Sequence, residues 1–187
     1  MKNIILAASA AASFVATPAM AQDPSDFSGF KATAVVGYDN VDFGAVFIGI
    51  ERLEFKNAQG LIYGINVSYD RQSGKFIYGV ELEANDSAAD VDNQFLGQIE
   101  MGRELYAGGR AGFAVSDNAL VYGKAGYVNA RLRTVGFQSI GLDGFRLGAG
   151  AEYKLKRNLF VRAEYRYSEI DRGVKRNQGV VGLGVKF

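Results

Sequence analysis

The sequence predicts an all-β chain, an eight-stranded antiparallel up-and-down transmembrane β-barrel over residues 30–187. Three observations carry this. Apolar and polar residues alternate at period two through eight short segments, as they do in strands that show one face to each of two media. Short polar turns alternate with longer connections, the asymmetry of transmembrane barrels. Charges gather on one face of the segments and aromatic residues near the ends of the other.

The chain opens with Lys2, an apolar run from Ile4 to Val15, and the small-residue stretch Thr17-Pro18-Ala19-Met20-Ala21. That layout reads as a secretory signal peptide over residues 1–21, with Ala19 and Ala21 framing the cleavage point. The run is shorter than the roughly 20 residues a spanning helix requires. Residues 22–29 then read as a flexible lead-in.

The first strand runs from Phe30 to Asp39. The second, Leu61 to Asp70, alternates most cleanly: Leu61, Tyr63, Ile65, Val67 and Tyr69 share one face, and Ile62, Gly64, Asn66, Ser68 and Asp70 the other. The turn Arg71-Gln72-Ser73-Gly74-Lys75 leads to a third strand, Phe76 to Ala84. Strands four (Glu104–Val115) and five (Leu120–Arg131) are joined by Ser116-Asp117-Asn118. Strands six (Phe145–Leu155) and seven (Leu159–Ile170) are joined by Lys156-Arg157-Asn158, and Gln178–Phe187 is the eighth. The long connections are about residues 40–60, 87–103, 132–143 and 171–177. Within the first of these, Phe43 to Phe55 is too apolar for an ordinary exposed loop. It either extends the first hairpin, folds over the barrel mouth or binds a partner.

Polarity separates a membrane barrel from a soluble one. In strand seven Leu159, Val161, Ala163, Tyr165 and Tyr167 oppose Arg162, Glu164, Arg166 and Ser168. Strand six repeats this, with Phe145, Leu147, Ala149, Ala151, Tyr153 and Leu155 opposite Arg146, Gly148, Gly150, Glu152 and Lys154. Lys31, Arg110, Lys124 and Lys186 fall on the corresponding polar faces. Long charged residues beside many glycines suit a narrow lumen, where bulky and minimal side chains interlock. Phe30, Tyr69, Phe76, Phe113, Tyr153 and Phe187 cluster at the short-turn side of the apolar face, and Tyr38, Tyr63, Phe145 and Tyr167 at the other. Two aromatic girdles around an aliphatic band match a bilayer of roughly 30 Å of hydrocarbon.

Composition narrows the chemistry. The chain has 21 basic and 20 acidic residues. Lys2 is the one charge within residues 1–21, so the remainder balances, which argues against a nucleic-acid partner. No cysteine or histidine is present, which removes disulfides, thiolate metal sites and histidine-based acid–base catalysis. Gly148-Ala149-Gly150 lacks the following helix of a phosphate loop, so no cofactor site is read from it. Glu81, Glu83, Glu152 and Glu164 face Lys31, Arg110, Lys124, Arg146, Arg162 and Arg166 across the lumen. Eight strands leave room for little beyond side chains, so these charges read as a salt-bridge plug. The alternative is a charged gate that admits ions or small solutes. Glu81 and Glu83 face a lumen too small for a sugar, so no enzyme is expected.

The ending Glu164-Tyr165-Arg166-Tyr167-Ser168 and Gln178-Gly179-Val180-Val181-Gly182-Leu183-Gly184-Val185-Lys186-Phe187 resembles the opacity-type and Omp25/Omp31-like porin-family surface proteins of proteobacterial outer membranes. Gly37-Tyr38-Asp39-Asn40-Val41 and Tyr78-Gly79-Val80-Glu81-Leu82-Glu83 resemble the family's first and third strands. The resemblance implies an outer-membrane surface protein, with outer-membrane lipids as partners and a role in envelope integrity and adhesion. It also implies that Gly182, Leu183, Val185 and Phe187 form the C-terminal signal read by the outer-membrane insertion machinery. The extracellular partner is not legible in the sequence.

Overall fold

The computed structural model describes residues 26–42, 45–48, 51–54, 58–88, 90–93, 97–134 and 140–187; residues 1–25, the expected signal peptide and first part of the lead-in, lie outside them. Eleven strands follow in order: β1 (Gly29–Asp42), β2 (Ala45–Ile48), β3 (Glu51–Glu54), β4 (Ala58–Ser73), β5 (Phe76–Ser87), β6 (Asp90–Asn93), β7 (Gly97–Ala114), β8 (Ala119–Thr134), β9 (Ile140–Lys154), β10 (Leu159–Ile170) and β11 (Val174–Lys186). Eight of them, β1, β4, β5 and β7 to β11, form a closed antiparallel ring. Each pairs with the next around it, and β1 meets β11 from Lys31↔Lys186 to Asp42↔Lys175. Closure leaves no edge of this ring unpaired, which a hydrocarbon medium demands.

The long connections are shorter than the sequence suggests. β4 begins at Ala58, β7 at Gly97, β9 at Ile140 and β11 at Val174, each inside a segment expected to be loop. Cross-strand pairing continues beyond the apolar band, because it satisfies the backbone wherever two strands already run side by side. β6 pairs with β7 within the second long connection, with a bridge to β4 at Gln59↔Asp90. In the apolar segment 43–55, β2 and β3 pair with each other from Ala45↔Glu54 to Ile48↔Glu51. The two strands run antiparallel.

The tight turn between β4 and β5 needs one left-handed residue, supplied by Gly74 at φ 61°. The ring is inside-out. Along β10, Arg162, Glu164, Arg166 and Ser168 are buried, while Val161, Ala163 and Tyr165 are exposed. The outward aromatics stand in two belts. Phe30 meets Tyr69 at 4.7 Å between ring centroids and Phe76 meets Phe113 at 5.3 Å, both beside the short turns. Tyr38, Tyr63 and Phe145 are exposed towards the opposite end.

The lead-in departs from expectation at its described end. Phe27 is not loose but 1% exposed. Its N–H donates to Gln72 Oε1 at 2.7 Å, and the amines of Lys154 and Lys186 donate to the Asp26 carbonyl. An aromatic residue beside an apolar pocket leaves water for it, and Asp26 is held beside it as a result.

Candidate functional site

Period-two geometry puts every second residue of the ring into the lumen, so eight strands aim their polar faces at one axis. All ten residues singled out from the sequence are buried there: Lys31 on β1, Glu81 and Glu83 on β5, Arg110 on β7, Lys124 on β8, Arg146 and Glu152 on β9, and Arg162, Glu164 and Arg166 on β10. The Lys124 amine stands at the centre, 2.8 Å from Glu81 Oε1, 2.6 Å from Glu164 Oε1, and bonded to Glu83 Oε1. Arg162 joins Glu81 at 2.7 Å to Glu152 at 2.8 Å. Arg110 reaches Glu152 at 2.6 Å and Glu81 at 3.1 Å, and Lys31 reaches Glu152 at 2.7 Å. Arg166 bonds Glu164 at 2.5 Å and Glu83 at 3.2 Å, and Arg146 bonds Glu83 at 2.9 Å.

Four further members were not picked out from the sequence. Asp70 accepts Lys31 at 2.8 Å and Arg110 at 3.3 Å. Glu104 bridges Arg146 at 2.6 Å to Arg176 at 2.7 Å, and Arg176 continues to Asp39. The ten expected residues carry six positive and four negative charges. With Asp39, Asp70, Glu104 and Arg176 the set becomes seven cations and seven anions, and one unbroken chain of ion pairs links them all. Every member except Asp39 meets at least two opposite charges, and Asp39 also accepts the Ser87 hydroxyl at 2.8 Å.

Aromatic residues on the inward face complete the filling. Tyr122 donates its hydroxyl to Glu164 at 2.5 Å and carries the Arg110 guanidinium 4.1 Å from its ring centre. Tyr106 underlies Lys124 at 4.9 Å. Each lies over glycine: a Cβ on Gly108 would sit 2.1 Å from the Tyr106 hydroxyl, and one on Gly150 2.7 Å from the Tyr122 hydroxyl. The same holds for Gly184 beneath the Phe160 ring, at 2.3 Å. The glycines on the polar face are the hollows into which these rings fit.

Apolar layers close the network at both ends. Phe27, Ile77, Leu120 and Tyr122 pack together beside the short turns; Val41, Val128, Ala130, Leu142, Ile170 and Val174 pack with Tyr106 towards the loops. A cavity at the short-turn end, beside Phe27, Lys31, Glu152 and Phe160, measures about 10 Å³, room for no more than about one water.

Each ion costs several kcal/mol to desolvate, so the network holds only where counter-charges replace the lost water. Redundancy then sets the effect of a deletion. Arg162→Ala leaves Glu81 with Arg110 and Lys124, and Glu152 with Lys31 and Arg110. It is expected to destabilise by about 1.5–3 kcal/mol, the scale of a lost charge-assisted bond. The check is a lower temperature for loss of the fast-migrating folded band on a heat-modifiability gel.

Glu81, Glu83 and Glu164 bring carboxylate oxygens within 4.8 Å of one another, a spacing that suits a bound cation. The Lys124 ammonium stands among them and supplies that charge from the chain itself. At the C-terminus Leu183, Val185 and Phe187 point outward, while Gly182 lies opposite Val35 and Arg162. Ala19 and Ala21 lie outside the described residues.

Three comparisons bear on this architecture. The family described as "Outer membrane protein beta-barrel domain" matches residues 7–187. A 22 kDa outer membrane protein of Rhizobium leguminosarum bv. viciae is 27% identical over 178 residues, 86% of this chain and 78% of that protein. A 25 kDa outer-membrane immunogenic protein of Brucella ovis is 29% identical over 131 residues, 66% of this chain and 62% of that protein. Among solved structures, Neisserial surface protein A superposes with a TM-score of 0.60 at 17% identity, covering 86% of this chain and 98% of that one. OprG of Pseudomonas aeruginosa gives 0.53 at 14% identity, over 88% and 99%. These two structures share the fold.

Proposed function

The chain belongs to the outer-membrane protein β-barrel domain family and resides in the bacterial outer membrane, and we propose that its barrel is a closed structural body that holds surface loops in place rather than a conduit. One observation carries this reading: seven cations and seven anions of the lumen are joined in a continuous ion-pair chain that lies between two apolar layers. A permeating ion would have to displace partners that have no water to turn to, and hydrophobic constrictions at each end oppose wetting.

The role is mechanical and at the surface: envelope integrity, with the loops available for contact outside the cell. The Brucella relative is named an immunogenic protein, which supports surface exposure here. We assign no catalysis to the lumen, since Lys124 occupies the one close carboxylate cluster found among the described residues. Gly182, Leu183, Val185 and Phe187 are proposed as the segment read by the insertion machinery. Leu183, Val185 and Phe187 support this, because their apolar side chains are presented together on the outer face.

Single-channel recording in planar bilayers tests the closed barrel. The expected record is flat at voltages that drive porins. Stable, uniform conductance steps would replace this reading with a narrow channel.

A further inference from the structure

On the outward face of the half nearest the short turns, the strands are uncharged with one exception. Among the described residues, Arg71 is the single charged side chain there, three residues before Gly74 on β4. It is exposed, and no ion pair or hydrogen bond joins it to another described residue. Its cross-strand neighbour is Tyr78, and Tyr69 precedes it on the same face; both rings are exposed. A cation in this position raises a question of partner, because hydrocarbon offers it none.

These three residues stand at one edge of an outward groove of about 790 Å³. The ladder Tyr78↔Ala111↔Gly123, with Gly109↔Ala125 in the next row, lays two glycines and two alanines along its floor. The floor is open. A Cβ on Gly109 would meet nothing nearer than the Gly79 carbonyl at 3.8 Å, and one on Gly123 nothing nearer than the Gly148 carbonyl at 3.8 Å. A second outward groove, about 730 Å³ and bordered by Ala151, Ala163 and Val181, has no outward charge beside it. The two differ in polarity more than in size.

We propose that the first groove seats one glycerophospholipid of the leaflet nearest the short turns. Arg71 binds its phosphate, Tyr69 and Tyr78 offer hydroxyl donors, and an acyl chain lies along Gly109, Ala111, Gly123 and Ala125. Charge complementarity selects this occupant. A guanidinium forks onto a phosphate bidentately, and its stem snorkels towards the headgroup level that the neighbouring Phe76 and Phe113 mark. A second copy of the chain would bring its own Arg71 and repel.

The test is native mass spectrometry of the purified protein, released from uncharged detergent with dioleoyl phosphatidylglycerol added. Wild type is expected to retain one lipid. Arg71→Gln is expected to weaken retention about tenfold, the equivalent of one charge-assisted bond. Gly109→Leu and, independently, Gly123→Leu fill the floor and are expected to weaken it similarly. Ala163→Leu, in the second groove, leaves it unchanged. Heat-shifted gel mobility verifies that each variant is folded. Undiminished retention by Arg71→Gln, or by both floor variants, overturns the proposal. So does equal competition from glycerol phosphate, which carries the headgroup without the tails, or a protein dimer in place of the lipid adduct.

Discussion

Replacing Lys124 with Met is expected to lower the unfolding temperature of the barrel more than removal of any other single lumen cation. Methionine nearly matches the volume of the lysine stem, so the effect isolates the charge. Three carboxylates lose their shared partner at once. Glu81 retains Arg110 and Arg162, and Glu83 retains Arg146 and Arg166, but Glu164 is left with Arg166 alone. The described network then holds seven anions against six cations. Breaking a buried pair from one side costs about 3–5 kcal/mol, against about 1.5–3 kcal/mol for Arg162→Ala. Adding Glu164→Gln restores neutrality while keeping an acceptor for the Tyr122 hydroxyl. The double variant is therefore expected to regain a substantial part of the loss. Heat-modifiability gels on the wild type, both single variants and the double variant close the cycle. A double variant no more stable than Lys124→Met would mean that charge balance is not what the lumen requires.

Gly108→Val is expected to prevent folding, or to cost more than about 3 kcal/mol, the upper range for overpacking. Its Cβ would meet the Tyr106 hydroxyl at 2.1 Å and the Ala125 carbonyl at 2.4 Å. The first of these can rotate away, but the second is ladder backbone. The neighbouring glycine supplies the control, because Gly109 faces outward into open space. Gly109→Val should fold with undiminished heat resistance, helped by the β-branched preference for strands. Comparable damage from both substitutions would show that inward packing is not the cause.

The contrast between adjacent glycines also marks how far the sequence could be read. Period two placed every expected lumen charge on its face, because face depends only on parity within a strand. The same parity was available for the residues that were missed. Asp70 already stood on the polar face of its strand, and Glu104 and Tyr106 share parity with Arg110. Arg176 follows the parity of Gln178 but sat inside a segment taken for loop. The excess of six cations over four anions was itself a signal, since a desolvated lumen tolerates little net charge. What parity cannot give is register. That Tyr106 lies across Gly108 and Gly126, or that Lys31 on β1 reaches Glu152 on β9, depends on strand stagger. Stagger is fixed by closure of the whole ring. Parity serves the aromatics too: Tyr106, Tyr122 and Phe160 fall in step with Arg110, Lys124 and Arg162 and line the interior, whereas Phe27, which precedes the first strand, is buried with no such signal.

A closed barrel seals its lumen amines from solvent and leaves its rim amines open, and an amine-reactive label applied to the folded protein in micelles reads this directly. Lys75, Lys156 and Lys175 are exposed, whereas Lys31 and Lys124 are 2% and 4% accessible. Peptide mapping by mass spectrometry is expected to find the first three modified and the last two untouched until the barrel is heat-unfolded. Modification of Lys31 and Lys124 at the rate of Lys75, with the fold intact, would contradict the sealed, self-neutralising interior.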